Sequence, residues 1–219
     1  MCSSWFFSRA ALYPPPRVTS TLDTYLASLP DGLRSLPRAQ IKGNVLDEQI
    51  GWLDEAGVKL DPRIAIGIRT VRPLGRTMEW VPEVLSNAIS LNAREGYRSD
   101  GAWIQAVYDR QRRFYATPLY RALMLVMSPT LMTMGAQQRW GAYRKGSELL
   151  VAKWHKEGGK NVTFGTLRFP PGLFNLLMLR GFTSTMRAAV DAAGAKDSVV
   201  VLLEDELTPG EARYRLSYR

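Results

Sequence analysis

The stretch SELLVAKWHKEGGKNVTFGTLRF, residues 147–169, contains two apolar runs, 147–155 and 161–169, on either side of the segment KEGGK. The glycine pair in that segment can take the positive φ angles of a tight hairpin turn, so the two runs are predicted to pair as antiparallel strands. Pro-Pro-Gly at 170–172 then ends the second strand. At about residue 147 the sequence therefore changes from helical to strand periodicity.

A helix and two further strands are predicted after this hairpin. Residues 173–194 have helical periodicity and end at Gly194, a residue suited to the left-handed end of a helix. Residues 198–204 are rich in valine, and residues 212–218 alternate between apolar and polar side chains. The inward-facing side chains of the last strand are predicted to be Ala212, Tyr214, Leu216 and Tyr218. The C-terminal half is therefore predicted to be β-β-α-β-β, an antiparallel sheet with a helix on one face.

The first half of the chain is predicted to be mostly helical. Apolar spacings of three and four residues, proline near helix starts and glycine at helix ends predict helices at 20–28, 41–57, 81–96, 99–116, 118–127 and 129–144. Residues 61–69 are ambiguous, because Asp-Pro predicts a helix start while alternating isoleucines predict a strand. The predicted fold class is α+β, with a helical N-terminal half packed on a C-terminal antiparallel sheet.

The length of 219 residues suffices for one domain with a substantial core. Residues 1–36, with three consecutive prolines, are predicted to form a flexible N-terminal arm. Residues 37–219 are predicted to form a single α+β ligand-binding-like domain. Its helical part covers 37–145 and its sheet part covers 146–219.

The composition argues against several classes of protein and site. One cysteine and one histidine exclude a disulfide framework and sites that need several of these ligands. No apolar run reaches the length of a membrane span or a signal peptide, so a cytoplasmic location is expected. The chain has no P-loop, dinucleotide-binding or nucleophile-elbow motif. We therefore assign no catalytic residue and no metal site, and the cofactor remains unknown.

The positive charge is concentrated in one segment. The net charge is +9, and residues 101–160 hold ten basic and three acidic residues. The candidate basic surface consists of Arg110, Arg113, Arg139, Arg144 and Lys145. Such a surface could bind nucleic acid or an anionic membrane, or it could be ordinary solvated charge. Asp109, Glu148 and Glu157 interrupt the run, so scattered charge is the expectation.

Aromatic and methionine side chains supply the candidate ligand-binding residues. They are Tyr115, Met134, Trp140, Tyr143, Trp154 and Phe164. Such side chains form ordinary cores, but they also line adaptable apolar cavities. The single histidine, His155, is expected to be a structural or exposed strand residue rather than a catalytic one.

The order of the segments resembles a family of uncharacterised bacterial proteins that is abundant as paralogues in myxobacteria. The segments that carry this resemblance are FYATPLYRALMLVMSPTLMTMGAQQRWGAYRKG (114–146), GFTSTMRAAVDAAGAKDSVVVLLED (181–205) and ARYRLSYR (212–219). The resemblance covers roughly residues 37–219 and is closest in 114–219. More remotely, the C-terminal layout is similar to 4-vinyl-reductase-like domains and to their relatives among heme nitric-oxide-binding domains and vesicle-tethering subunits. In those relatives, a helix and an antiparallel sheet enclose an apolar molecule.

The resemblance implies a non-enzymatic sensory or ligand-binding module that holds an apolar or amphipathic small molecule between helices and sheet. It transfers no catalytic residue, and the missing histidine in the helical half argues against heme. A signalling role and a homodimer or protein partner are further expectations. The alternatives are a small biosynthetic enzyme for a tetrapyrrole or aromatic substrate, and a basic protein that binds nucleic acid or an anionic membrane.

Overall fold

Helices dominate the first two thirds of the chain, and strands dominate the last third. The computed structural model describes residues 20–71 and 80–219. The helices are α1 (Thr21–Ser28), α2 (Gly43–Ala56), α3 (Pro62–Val71), α4 (Glu83–Arg94), α5 (Asp100–Tyr115), α6 (Pro118–Val126), α7 (Pro129–Met134), α8 (Ala136–Tyr143) and α9 (Leu176–Ala192). The strands are β1 (Gln40–Lys42), β2 (Trp80–Pro82), β3 (Arg144–Lys145), β4 (Glu148–Val151), β5 (His155–Glu157), β6 (Lys160–Arg168), β7 (Val199–Leu202) and β8 (Glu211–Tyr218). No helix in these ranges is long and apolar enough to cross a membrane.

The main sheet is antiparallel and confirms the predicted fold class. Its strands run in the order β4-β6-β8-β7, and β5 also pairs with β6. Helix α9 packs on one face, and the four side chains of β8 predicted to face inward are all buried. The hydroxyl of Tyr214, one of these four, donates to the carbonyl of Leu179 on α9, at 3.2 Å. This bond ties the middle of the sheet to the helix that covers it.

Helix α4 lies at the centre of the helical half, with ten of its twelve residues buried. It packs against α1, α2 and α3, while α5 packs against α9. On α1, the hydroxyl of Tyr25 donates to the carbonyl of Leu173 at 2.9 Å, and Asn87 of α4 donates to the same carbonyl at 2.8 Å. The segment before α9 is thereby joined to two helices of the N-terminal half.

A small second sheet, of order β2-β1-β3, was not predicted from the sequence. Its strands are two or three residues long and come from three separate parts of the chain. Such short strands contain too few residues to show a period of two. They form because partners distant in sequence satisfy their backbone groups, which a local pattern does not reveal.

Several predicted boundaries need correction. The arm predicted over 1–36 is too long: residues 1–19 lie outside the described part, but α1 follows them and buries Leu22 and Tyr25. Residues 61–69 fall in a helix, α3. The helix predicted over 129–144 is divided at Gly135 and ends before Arg144. The first hairpin strand is divided by residues 152–154, so that β4 and β5 pair with different parts of β6.

Candidate functional site

A buried ion pair lies where the helical half meets the main sheet. Glu83 is the first residue of α4, and Arg144 is the first residue of β3. Strand β1 brings them together, because Ile41 is paired with both Val81 and Arg144. The Arg144 guanidinium contacts the Glu83 carboxylate, and the two side chains are 16% and 0% exposed.

Burial has a direct electrostatic consequence for this pair. It lowers the pKa of Arg144 to about 9, because the charged guanidinium loses its water. The side chain therefore remains cationic at neutral pH. A buried cation of this kind needs both a counter-ion and polarisable neighbours. Glu83 supplies the counter-ion.

Three aromatic rings surround the other side of the guanidinium. Its central carbon lies 4.5 Å from the centre of the Trp140 ring, 5.4 Å from Phe182 and 5.9 Å from Phe174. These distances allow cation–π attraction, which is strongest for tryptophan. The indole nitrogen of Trp140 donates to the hydroxyl of Ser147 at 3.1 Å, which holds the ring in place.

The same rings continue as a row towards the surface. The ring centres of Phe169 and Phe174 are 5.1 Å apart, those of Phe174 and Phe182 are 5.2 Å apart, and those of Phe182 and Trp140 are 5.6 Å apart. All three contacts are edge-to-face, an arrangement that aromatic pairs favour. We call these four residues the aromatic row. It extends from the end of β6 to helix α8.

An open groove of about 650 Å³ lies at the outer end of the aromatic row. Its lining residues are Gly146, Ser147, Glu148, Arg168, Phe169, Thr208, Pro209, Gly210 and Glu211. Phe169 belongs to both the groove and the row, and Ser147 lines the groove while binding Trp140. Gly146 has a φ of +78°, and a Cβ there would lie 2.6 Å from the carbonyl oxygen of Arg38. Only glycine allows this wall of the groove to approach the segment before β1 so closely.

The predicted ligand-binding residues do not come together in one place. Trp140 lies in the aromatic row, as described above. Trp154 packs edge-to-face on Tyr218, 5.1 Å away. Phe164 lies on the face of the sheet opposite α9, where its ring stacks on His155 at 6.2 Å. The two sheet residues therefore contribute nothing to the groove.

The other three predicted ligand residues lie near helices α5 to α8. Tyr115 packs on Phe114 and Tyr120, and burial raises its pKa. Met134 and Tyr143 are 65% and 42% exposed. The separation follows from their positions: Tyr115 lies on α5, and the spacing from Met134 to Tyr143 is about two and a half helical turns, which places side chains on opposite faces.

The predicted basic residues are also dispersed. Arg110 and Arg113 both pair with Glu55 of α2, at 3.4 and 2.6 Å. Arg139 turns back to the carbonyl of Met132, and Arg144 is buried in the ion pair. The ammonium of Lys145 lies 4.1 Å from the centre of the Trp80 ring. These five do not form one exposed cationic surface.

Four residues of the site were missed in the sequence: Glu83, Phe169, Phe174 and Phe182. Glu83 follows a proline at a helix start, where an acidic residue is usual, so its position gave no sign of burial. One available signal was that Glu83 is the only acidic residue between 80 and 94. The phenylalanines resemble ordinary core residues.

In the described ranges, no group of three His, Cys, Asp or Glu side chains could hold a metal ion.

Comparison with solved structures shows the fold. The chain is similar to an H-NOX structure concerned with heme distortion, at 11% identity and a TM-score of 0.51, covering 82% of this chain and 94% of the other. It is equally similar to a mutant T. tengcongensis H-NOX domain, of which 97% is covered, at 11% identity and a TM-score of 0.51. A third structure is an oxygen-binding H-NOX domain related to soluble guanylate cyclases, at 10% identity, 82% and 94% coverage and a TM-score of 0.51. No family model and no curated protein matches the chain.

The residues present do not fit a heme held by an axial histidine, cysteine or tyrosine. The one histidine, His155, lies on the exposed face of β5, with its Nε2 3.6 Å from Glu157. The inward tyrosines Tyr25 and Tyr214 donate to backbone carbonyls, and burial raises the pKa of Tyr25 to about 12. A neutral, hydrogen-bonded phenol is a poor axial ligand for iron. Among the described residues, neither histidine nor cysteine faces the space between helices and sheet.

Proposed function

We propose that this protein is a non-enzymatic ligand-binding module, of a sensory kind, for an apolar or amphipathic small molecule. The molecule would enter the groove at the helix–sheet junction and lie against Phe169, the outer member of the aromatic row. The observation that carries the proposal is the continuity from an open groove, through four aromatic rings, to the buried Glu83–Arg144 pair.

The groove has the volume of a small-molecule site, although it is wide open to solvent. Its volume of about 650 Å³ lies within the usual range for such sites. Phe169 and Pro209 offer apolar surface, while Ser147, Thr208 and the Arg168–Glu211 pair offer polar atoms at the rim. An amphipathic molecule could place its apolar part along the ring and its polar end among these groups. The position also supports a sensory role, because the groove borders both the main sheet and the turn that leads from Arg144.

The likeness to H-NOX domains supports the general function but not the ligand. Those proteins are described by heme and oxygen binding. The present chain shares their fold at about 10–11% identity, and its residues do not fit heme. We therefore propose that this chain uses the fold for a different, metal-free small molecule.

Native mass spectrometry of the freshly purified protein, followed by titration with a fluorescent fatty acid, tests the proposal. We expect either a co-purified small molecule or saturable uptake of the probe. Thr208 is exposed on the groove wall, so Thr208→Trp should obstruct the groove and weaken uptake by about tenfold or more. Thr70→Trp, at an exposed position on α3, is the matched control and should bind like the parent.

Two results would contradict the proposed function. One is a clean mass without any bound molecule, combined with no uptake of the fatty acid. The other is equal uptake by the parent and the Thr208→Trp variant, which would show that the probe binds elsewhere. Thermal denaturation of both variants verifies that they are folded.

A further inference from the structure

An exposed apolar corner is formed where α6 meets α7. Val126 is 77% exposed, Leu131 is 54% exposed and Met134 is 65% exposed. Single exposed apolar side chains are common on protein surfaces, but three within nine residues form a patch. Leu131 and Met134 are three residues apart on α7, so they project from the same side of that helix. We call Val126, Leu131 and Met134 the apolar corner.

The segment that contains this corner is basic in sequence, although Glu48 and Glu55 of α2 lie near its residues Tyr120, Arg110 and Arg113. From residue 110 to residue 147 the chain has seven basic residues and no acidic one. The basic residues are Arg110, Arg112, Arg113, Arg121, Arg139, Arg144 and Lys145. Two of them, Arg112 in the last turn of α5 and Arg121 on α6, are exposed and have no ion-pair partner within residues 20–71 and 80–219. They differ in this respect from Arg110 and Arg113, which pair with Glu55.

Two tyrosines, Tyr120 and Tyr143, belong to the same basic segment. Tyr120 of α6 lies near Tyr143 of α8, and burial raises the pKa of Tyr120. Tyr143 is 42% exposed. Tyrosine has an apolar ring and a polar tip, and it is frequent at the level of lipid headgroups.

We propose that the apolar corner and its arginines dock on the surface of an anionic phospholipid bilayer. Short helices that expose apolar side chains, in a segment with unpaired arginines and no acidic residue of its own, suit the boundary between headgroups and acyl chains. Helix α6 has nine residues, so it would lie in the plane of the surface. A nucleic acid would also attract Arg112 and Arg121, but it would leave Val126, Leu131 and Met134 in water. The apolar corner therefore favours lipid as the partner.

Vesicle flotation at low salt tests this proposal. We expect the protein to bind vesicles of phosphatidylcholine mixed with phosphatidylglycerol, to bind pure phosphatidylcholine weakly, and to be released from the mixed vesicles by high salt. The double variant Val126→Asp with Leu131→Asp should partition at least about tenfold more weakly, because it loses apolar burial and adds repulsion. Arg112→Glu with Arg121→Glu should have a similar effect.

The matched control uses two exposed apolar side chains on other helices. Ile66 of α3 is 57% exposed and Leu176, the first residue of α9, is 41% exposed, so Ile66→Asp with Leu176→Asp adds the same charge outside the apolar corner. This control should bind vesicles nearly as well as the parent. All the substituted side chains are exposed, so the variants should fold, and circular dichroism of each one verifies this.

The proposal is overturned if the parent does not float with anionic vesicles, or if both aspartate pairs weaken binding equally. It is also overturned if duplex DNA competes the protein off the vesicles and binds the Val126→Asp, Leu131→Asp variant as tightly as the parent.

Discussion

Replacing Glu83 by glutamine tests whether the buried ion pair stabilises the junction between helices and sheet. Glutamine has nearly the same size but no charge, so Arg144 would remain in place as an uncompensated cation. Glu83 is fully buried and the Arg144 side chain is 16% exposed. Removing one partner of a buried ion pair costs roughly 3–5 kcal/mol, because the other charge stays desolvated. We expect Glu83→Gln to lower the free energy of unfolding by about that amount.

The structure places the expected loss near the lower end of this range. The rings of Trp140, Phe174 and Phe182 continue to attract the guanidinium after the carboxylate is removed. The exposed part of Arg144 also retains some water. A loss of about 3 kcal/mol corresponds to a fall of roughly 6–12 °C in the melting temperature of a chain of this length.

Urea denaturation followed by tryptophan fluorescence measures the loss. The single variants Glu83→Leu and Arg144→Met and their double variant complete a thermodynamic cycle. The double variant should be more stable than either single variant, because it leaves no unpaired charge in the core. Glu55→Gln is the control: its pairs with Arg110 and Arg113 lie nearer the surface, so its loss should be within about 1 kcal/mol. The reasoning is refuted if Glu83→Gln unfolds within about 1 kcal/mol of the parent, or if the double variant is the least stable of the set.

Three further outcomes are expected. Burial raises the pKa of Tyr25 from 10.0 to about 12, so the folded state binds the phenolic proton more tightly than the unfolded state does. The free energy of unfolding should therefore be constant below pH 10 and fall by roughly 2–3 kcal/mol as the pH rises from 10 through 12. In urea denaturation across that pH range, the Tyr25→Phe variant should lose correspondingly less unfolding free energy than the parent. An equal loss in both would show that Tyr25 is not the cause. A Cβ at Gly181 would lie 2.9 Å from the Trp103 ring, so Gly181→Ala should lower the unfolding free energy by about 1–3 kcal/mol in the same assay. Gly51 lies in open space on α2, so the control Gly51→Ala should raise the unfolding free energy by up to about 1 kcal/mol. Titration with hemin should leave the absorption spectra of the parent and of His155→Ala alike, and a ligated-heme band that depends on His155 would contradict the geometry described above.

The segments that could be predicted are those whose periodicity is local and long. Residues 212–218 alternate over seven positions, and the structure buries Ala212, Tyr214, Leu216 and Tyr218 as that alternation predicts. The proline and glycine signals likewise located α6 and the turn between β5 and β6. A side-chain period repeated over several residues reports the pitch of the backbone, so it is visible without any knowledge of the partner.

The candidate site depended on contacts that no local pattern contains. Glu83 and Arg144 meet only because three short strands close the small sheet between them, and Phe169, Phe174 and Phe182 align only when α9 packs beside β6 and α8. In the sequence each of these residues is an ordinary helix-start acid, last-turn cation or core aromatic. The sequence by itself determined the α+β class and the inward face of the last strand, because backbone geometry imposes those periods on neighbouring residues. The tertiary structure alone decided which side chains share the groove and which lie apart, because desolvation and packing act between residues that the chain brings together from a distance.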